Sequence, residues 1–130
     1  TNGLYIGSVF SQGQSEVTVT GAGSILSSNQ IALYNDSILT INDGGQVSTN
    51  NIYYDNFSFI NDPSSTSTIN FDNGTLRLTG SSSFIFNDFT ASNTINLEAG
   101  GGTIDTIGNN VSVFNNVVFV SNFLAGYSLS

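Results

Sequence analysis

Residues 92–114, with the sequence SNTINLEAGGGTIDTIGNNVSVF, decide the fold that we expect for this chain. The segment reads as three short strands separated by turns rich in Gly and Asn, at 100–102 and 108–110. Each strand has one apolar face, because apolar residues alternate with polar ones. The residues predicted to point inward are Ile95, Leu97, Ile104, Val111 and Val113. Strands this short need neighbours to bury that face, which is typical of one coil in a β-solenoid.

The same order of strand, Gly turn, strand, polar turn and strand recurs earlier in the chain. The first strand of each repeat is predicted around Val17, Leu39, Ile69 and Ile95, and successive repeats are roughly 20–30 residues apart. In the first coil, residues 27–30 are predicted to be the turn before the third strand. We therefore predict an all-β single domain at 1–130: a parallel β-helix (β-solenoid) of about four three-strand coils at 16–114. Extra terminal strands or arms are expected at 1–15 and 115–130, with little helix anywhere.

An antiparallel β-sandwich is the alternative fold. Asn73-Gly74 is a residue pair typical of type I′ turns in β-hairpins, and hairpins build such sandwiches. The repeated position of the Gly turn favours the solenoid, since a sandwich does not need that repetition.

The composition excludes several classes of function. The net charge is −8 and Arg77 is the only basic residue, so we expect neither nucleic acid nor membrane insertion among the partners. The chain has no Cys and no His, which removes thiolate metal sites and the commonest general base. A chain rich in Asn, Ser, Thr and Gly and poor in Lys is typical of an extracellular or cell-surface protein. We take it to be a mature form or a fragment.

The residues AGGGTIDT at 99–106, followed by GNNV at 108–111, carry a resemblance to a known family. This pattern resembles the autotransporter-associated β-strand repeats of bacterial autotransporter passengers and related large adhesins, most strongly over 93–111. The resemblance implies a right-handed parallel β-helix, export to the cell surface and a structural or adhesive role. It supplies no catalytic residues. The chain departs from the long stacks usual in that family because it has only about four coils.

No group of residues predicts a reaction, so we expect no enzyme, no catalytic residues and no cofactor. The Asp residues mostly adjoin Asn or Gly and are interpreted as turn formers, with a Ca²⁺ site as the alternative. Arg77 is the one candidate base for a lyase, but it is predicted to alternate outward from a strand. Aromatic residues at 53–59 and 84–89 are interpreted as core, with a sugar-stacking surface as the alternative.

Four Asn-x-Ser/Thr motifs are candidate sites of N-glycosylation. They begin at Asn35, Asn56, Asn73 and Asn110. Asn73 is expected to be the most accessible, because it lies at a turn.

Both ends of the chain are apolar and carry no charge. The candidate assembly residues are Leu4, Tyr5, Ile6, Val9, Phe10, Val118, Phe119, Val120, Phe123 and Leu124. The first and last coils of a solenoid expose strand edges and core, so we predict head-to-tail contacts between copies. The expected function is a non-enzymatic extracellular structural protein, a self-assembling subunit of a surface filament or layer. The alternative is an adhesin-type module that recognises glycans or a cell-surface partner.

Overall fold

The chain is all-β. The computed structural model describes residues 3–7, 14–34, 36–54, 67–85, 93–113, 117–121 and 128–129, and these form strands and turns without a helix. The strands are β1 (Gly3–Ile6), β2 (Glu16–Thr20), β3 (Ile25–Leu33), β4 (Ile38–Asn42), β5 (Gln46–Tyr54), β6 (Thr68–Asp72), β7 (Gly74–Leu78), β8 (Ser82–Ile85), β9 (Asn93–Leu97), β10 (Gly102–Asp105), β11 (Asn110–Val113), β12 (Val117–Ser121) and β13 (Ser128–Leu129). The described segments therefore include no helix suited to crossing a membrane.

Two parallel sheets contain all of these strands. One has the order β2-β4-β6-β9-β12; the other has the order β1-β3-β5-β7-β10-β13, with β8 beside β5 and β11 beside β8. Every strand pair in the described residues is parallel. The antiparallel alternative is therefore wrong. Asn73 does have a positive φ of 63°, but Gly74 begins β7 in the other sheet, so the chain crosses between sheets there instead of forming a hairpin.

The pairing register confirms that the predicted first strands are equivalent. Val17 lies beside Leu39, Leu39 beside Ile69, and Ile69 beside Ile95. The same row continues to Phe119, which lies beside Ile95. The C-terminal segment thus supplies a further strand to the same sheet, and β13 extends the other sheet by pairing with β10.

The turn predicted at residues 27–30 is wrong, because β3 runs through it and pairs with β5 on both sides of it. The strand continues instead of stopping. In β5, Thr49 and Ile52 are both buried although they are three residues apart, so the inward face shifts by one position between them. The Thr49 hydroxyl donates to the Asn51 carbonyl at 3.2 Å where this shift occurs. Each set of consecutive strands that crosses both sheets once is called a pass. In the two later passes the strand is interrupted at the equivalent position, at residues 79–81 and 106–109.

This shift divides the second sheet lengthwise, so the strands fall into three groups, which are called sides below. Side 1 consists of β2, β4, β6, β9 and β12. Side 2 consists of residues 25–28 of β3, residues 46–49 of β5, and β7, β10 and β13. Side 3 consists of β1, residues 30–33 of β3, residues 51–54 of β5, and β8 and β11. Each side therefore has five strands in the described part of the chain.

The hydrophobic core lies between these sides, and most of its side chains are fully buried. It consists of Ile6, Val19, Ile31, Leu33, Leu39, Ile41, Val47, Ile52, Ile69, Phe71, Leu76, Leu78, Ile85, Ile95, Leu97 and Ile104. The inward orientation predicted for Ile95, Leu97 and Ile104 is confirmed. Val111 is only partly buried, and for Val113 the structure describes the backbone alone. Ile6 is 3% exposed, so β1 belongs to the packed structure rather than to a separate arm.

Glycines allow the chain to turn from side 1 to side 2 against the preceding pass. A Cβ on Gly74 would lie 2.5 Å from the carbonyl carbon of Ile41, and a Cβ on Gly102 would lie 2.5 Å from Cγ of Phe71. The opposite corner, at the start of side 1, is held by buried polar groups. There the Ser37 hydroxyl donates to the Ile6 carbonyl at 2.8 Å, and the Ser67 hydroxyl donates to the Tyr34 carbonyl at 3.1 Å.

Candidate functional site

The N-terminal end of the sheets exposes strand edges and part of the core. The strands β1, β2 and residues 25–28 of β3 each have one edge without a neighbouring strand in the described residues. Leu4, Val17 and Leu26 pack against the core from these strands but are only partly buried. Tyr5 is 65% exposed and Ile25 is 62% exposed. The strand edges at this end are therefore unpaired in the described residues, and three apolar side chains that pack against the core are incompletely covered.

The C-terminal end has the same character. Its outermost strands are β11, β12 and β13, again judged on the described residues alone. Val111 is partly buried beneath the open edge, and Val120 is 37% exposed. For Val118 and Phe119 the structure describes the backbone, which lies in β12. Of the other candidate assembly residues, Val9, Phe10, Phe123 and Leu124 lie outside the described residues.

Charge is nearly absent from these outermost strands. Within the described parts of both ends, Glu16 is the one charged residue and no Pro occurs. Glu16 is exposed and accepts a hydrogen bond from the Thr40 hydroxyl at 2.8 Å. Monomeric β-proteins usually protect an edge strand with charged side chains, Pro or a covering segment. The described edges carry little of this protection, so they suit pairing with further strands.

A row of hydrogen-bonded side chains crosses the outer face of side 1. The Asn96 amide donates to Oδ1 of Asn70 at 2.9 Å, and the Asn70 amide donates to the Thr40 hydroxyl at 3.4 Å. Thr40 then donates to Glu16. Because these residues occupy successive strands, the row links strands that are far apart in sequence.

The interpretation of the Asp residues as turn formers is confirmed at three described positions. Asp36 and Asp43 have φ values of 57° and 51°, a region that Asp tolerates in turns. Asp72 accepts a hydrogen bond from the Gly100 backbone amide at 2.7 Å. Where the chain is described, no three acidic residues come close enough together to hold a metal ion.

Arg77 lies on the outer face of side 2, as predicted. Its Nη2 and Nε atoms both lie 2.9 Å from Oδ2 of Asp105, which is its neighbour on the adjacent strand. The Arg77 side chain is 41% exposed. The guanidinium therefore forms a surface ion pair between two strands, a geometry that gives no indication of a catalytic base.

Two of the four candidate glycosylation sites can be placed. Asn73 is exposed at the turn before β7, and Asn110 is exposed at the first residue of β11. Asn35 and Asn56 lie outside the described residues. Glycosylation of any of them stays a prediction.

An aromatic groove lies on the outer face of side 3. Tyr5, Ala32 and Tyr53 occupy adjacent strands in register, so the small Ala32 side chain lies between two tyrosines. The groove has a volume of about 190 Å³ and is also lined by Gln30. Tyr5 stacks on Tyr34 with ring centroids 6.0 Å apart. The interpretation of Tyr53 as a core residue is wrong, because its side chain is partly exposed on this face.

Comparison with known proteins gives no relative. A scan against protein-family models and searches of curated proteins and of solved structures found no match to this chain. The resemblance of residues 93–111 to autotransporter-associated repeats therefore stays a prediction, and function has to be inferred from the geometry.

Proposed function

We propose that this chain is a β-solenoid that serves as a non-enzymatic structural subunit, polymerising end to end at the cell surface or outside the cell. The observation that carries this proposal is the burial of the inward-facing residues. Along the first inward row of side 1, Leu39, Ile69 and Ile95 are fully buried, whereas Val17 on the outermost strand is only partly buried. The core-facing side chain on the outermost described strand is thus incompletely covered, and another coil would cover it.

The strand arrangement supports the solenoid. The chain passes repeatedly from side 1 to sides 2 and 3, and each pass pairs in parallel with the one before. A stack of this kind has two different ends, so contact between the end of one copy and the beginning of another is heterologous. Heterologous contacts that do not close into a ring produce filaments.

The low charge of the end strands supports a second copy of the same chain as the partner. At a net charge of −8, two copies repel each other at long range, and that repulsion falls with added salt. At close range, Glu16 is the one charge on the described end strands, and its side chain lies on the outer face. No pair of like charges on those strands is therefore forced together when the ends meet.

Electron microscopy and light scattering of the purified chain test this proposal. We expect unbranched filaments whose length increases with protein concentration, and we expect added salt to promote them. A sample that remains uniformly monomeric up to its solubility limit, with and without salt, would contradict polymerisation.

The aromatic groove favours a second candidate function, a module that binds neutral glycans. Tyrosine rings stack on the apolar faces of sugars, and Gln30 places an amide beside them. This function requires that the monomer bind an oligosaccharide saturably, and that Tyr5→Ala and Tyr53→Ala each abolish binding. Ile25→Ala, an exposed position outside the groove, is the control and should leave binding unchanged. Filaments that bind no glycan on an array would reject this second function.

A further inference from the structure

The two ends of the described sheets are stepped, and the steps are complementary. At the N-terminal end, β1 pairs with residues 30–33 of β3, so side 3 projects one strand beyond sides 1 and 2. At the C-terminal end, β12 and β13 each lie one strand beyond β9 and β10, whereas side 3 ends at β11. Side 3 therefore projects at one end and is recessed by one strand at the other.

We infer, assuming the proposed end-to-end polymer, that the projecting β1 of one copy occupies the recess beyond β11 of the preceding copy. In this arrangement β2 pairs with the preceding copy's β12, and residues 25–28 of β3 pair with its β13. All three sides then continue without a gap from one copy to the next. Each copy adds five strands to every side, as counted in the described residues.

The register follows from the rows already present within one copy. On side 3, Leu4 lies in the row of Ile31, Ile52, Ile85 and Val113, so it is placed beside Val113 of the preceding copy. On side 1, Thr18 lies in the row of Thr40, Asn70, Asn96 and Val120, so it is placed beside Val120. On side 2, Leu26 is placed beside Leu129 by the same reasoning.

This arrangement covers the unfinished parts of the core. Leu4, Val17, Leu26 and Val111 are the partly buried residues packed against the core, and each lies on a strand that gains a neighbour at the junction. The step also fixes the register. If one copy moved one strand closer to the preceding copy, its β1 would overlap that copy's β11. If it moved one strand farther away, a gap would remain on all three sides.

A fusion of two copies tests this junction within one polypeptide. Between these rows of sides 2 and 3 the spacing is five residues in the first two passes and nine in the next two, from Leu76 to Ile85 and from Ile104 to Val113. Leu26 and Ile31 are five residues apart on sides 2 and 3 of one pass, and so are Val47 and Ile52. In a direct fusion of Ser130 to Thr1 of a second copy, Leu129 and the following Leu4 would also be five residues apart. We expect such a fusion, without a linker, to unfold in one transition at a higher temperature than the single chain. Insertion of three residues at the fusion point is the control and should remove this gain.

Engineered disulfides test the junction directly, since the natural sequence has no Cys. Neighbouring strands place paired Cα atoms about 5 Å apart, within the range that a disulfide bridges. The variant carrying Thr18→Cys and Val120→Cys should form a series of covalent multimers when filaments are oxidised. The variant carrying Ile25→Cys and Ser128→Cys should do the same on side 2. The control carrying Thr18→Cys and Asn96→Cys should not, because Asn96 lies one strand farther from the junction.

The outcomes separate this junction from the polymer itself. Filaments that form but give no multimers with either matched pair, or that cross-link through Thr18 and Asn96, overturn the stepped junction and leave end-to-end polymerisation standing. If the unsubstituted chain sediments only as a monomer, the proposed function is overturned.

Discussion

Replacing Gly74 with alanine is expected to lower the free energy of unfolding by about 3 kcal/mol, at the upper end of the usual cost of overpacking. Gly74 is buried where the chain turns from β6 into β7, and an added Cβ would meet the Ile41 carbonyl group. That carbonyl belongs to a backbone that pairs on both sides, so it cannot move aside without breaking strand pairing. Urea unfolding followed by circular dichroism measures the loss.

Gly23→Ala is the matched control for this substitution. Gly23 has a φ of 87°, so alanine is disfavoured there, but nothing lies within 4 Å of the added Cβ. We expect a cost of about 1 kcal/mol from backbone conformation alone. If both substitutions lower the free energy of unfolding by the same amount, close packing at the turn from β6 into β7 is not the reason that Gly74 is required.

Replacing Val17 with lysine is expected to raise the protein concentration needed for assembly by about 100-fold, which corresponds to about 2.7 kcal/mol per junction. Val17 faces inward on β2 and is only partly buried in a single copy. A lysine there keeps contact with water in the monomer. At a junction it would be enclosed without a partner, which is costly for a charged group. Sedimentation of the assembled fraction against protein concentration measures the change.

Thr18→Lys is the control, because it changes the net charge equally but lies on the outer face. Thr18 is exposed, and its side chain stays in water when another copy is added. We expect assembly to change by no more than a few-fold. If the two lysine variants assemble equally poorly, charge repulsion rather than burial at the ends controls assembly.

Much of the fold is predictable from local pattern. Alternating apolar residues predict which residue of each strand points inward, and the Gly-rich turns mark where the chain leaves side 1. These signals place Val17, Leu39, Ile69 and Ile95 in one row, and the pairing register confirms it. The signal is strong because each successive set of paired strands has to satisfy the same packing and turn requirements.

The polar residues at 27–30 show why local pattern fails elsewhere. Ser, Asn and Gln there are typical of a turn, yet Ser27, Ser28 and Gln30 pair in parallel with β5, and this pairing keeps the segment in a strand. Pairing with a segment some twenty residues away outweighs local preference.

The candidate site is less predictable, because it depends on register between distant segments. Nothing in the local sequence places Tyr5 and Tyr53 on either side of Ala32. The stepped ends likewise follow from which strands pair, not from the composition of any one strand. Sequence does indicate that both ends of the chain are apolar and uncharged, and this makes them candidates for assembly.

The axial rise per subunit in the filaments, measured by cryo-electron microscopy, tests end-to-end stacking most directly. Five strands on each side, with neighbouring strands about 4.8 Å apart, give an expected rise of about 24 Å for each copy. Strands should run across the filament axis, and the three sides should continue through every junction. A rise of about 4.8 Å per copy, as in a fibril whose chains each form one flat layer, would contradict the stacking of folded solenoids.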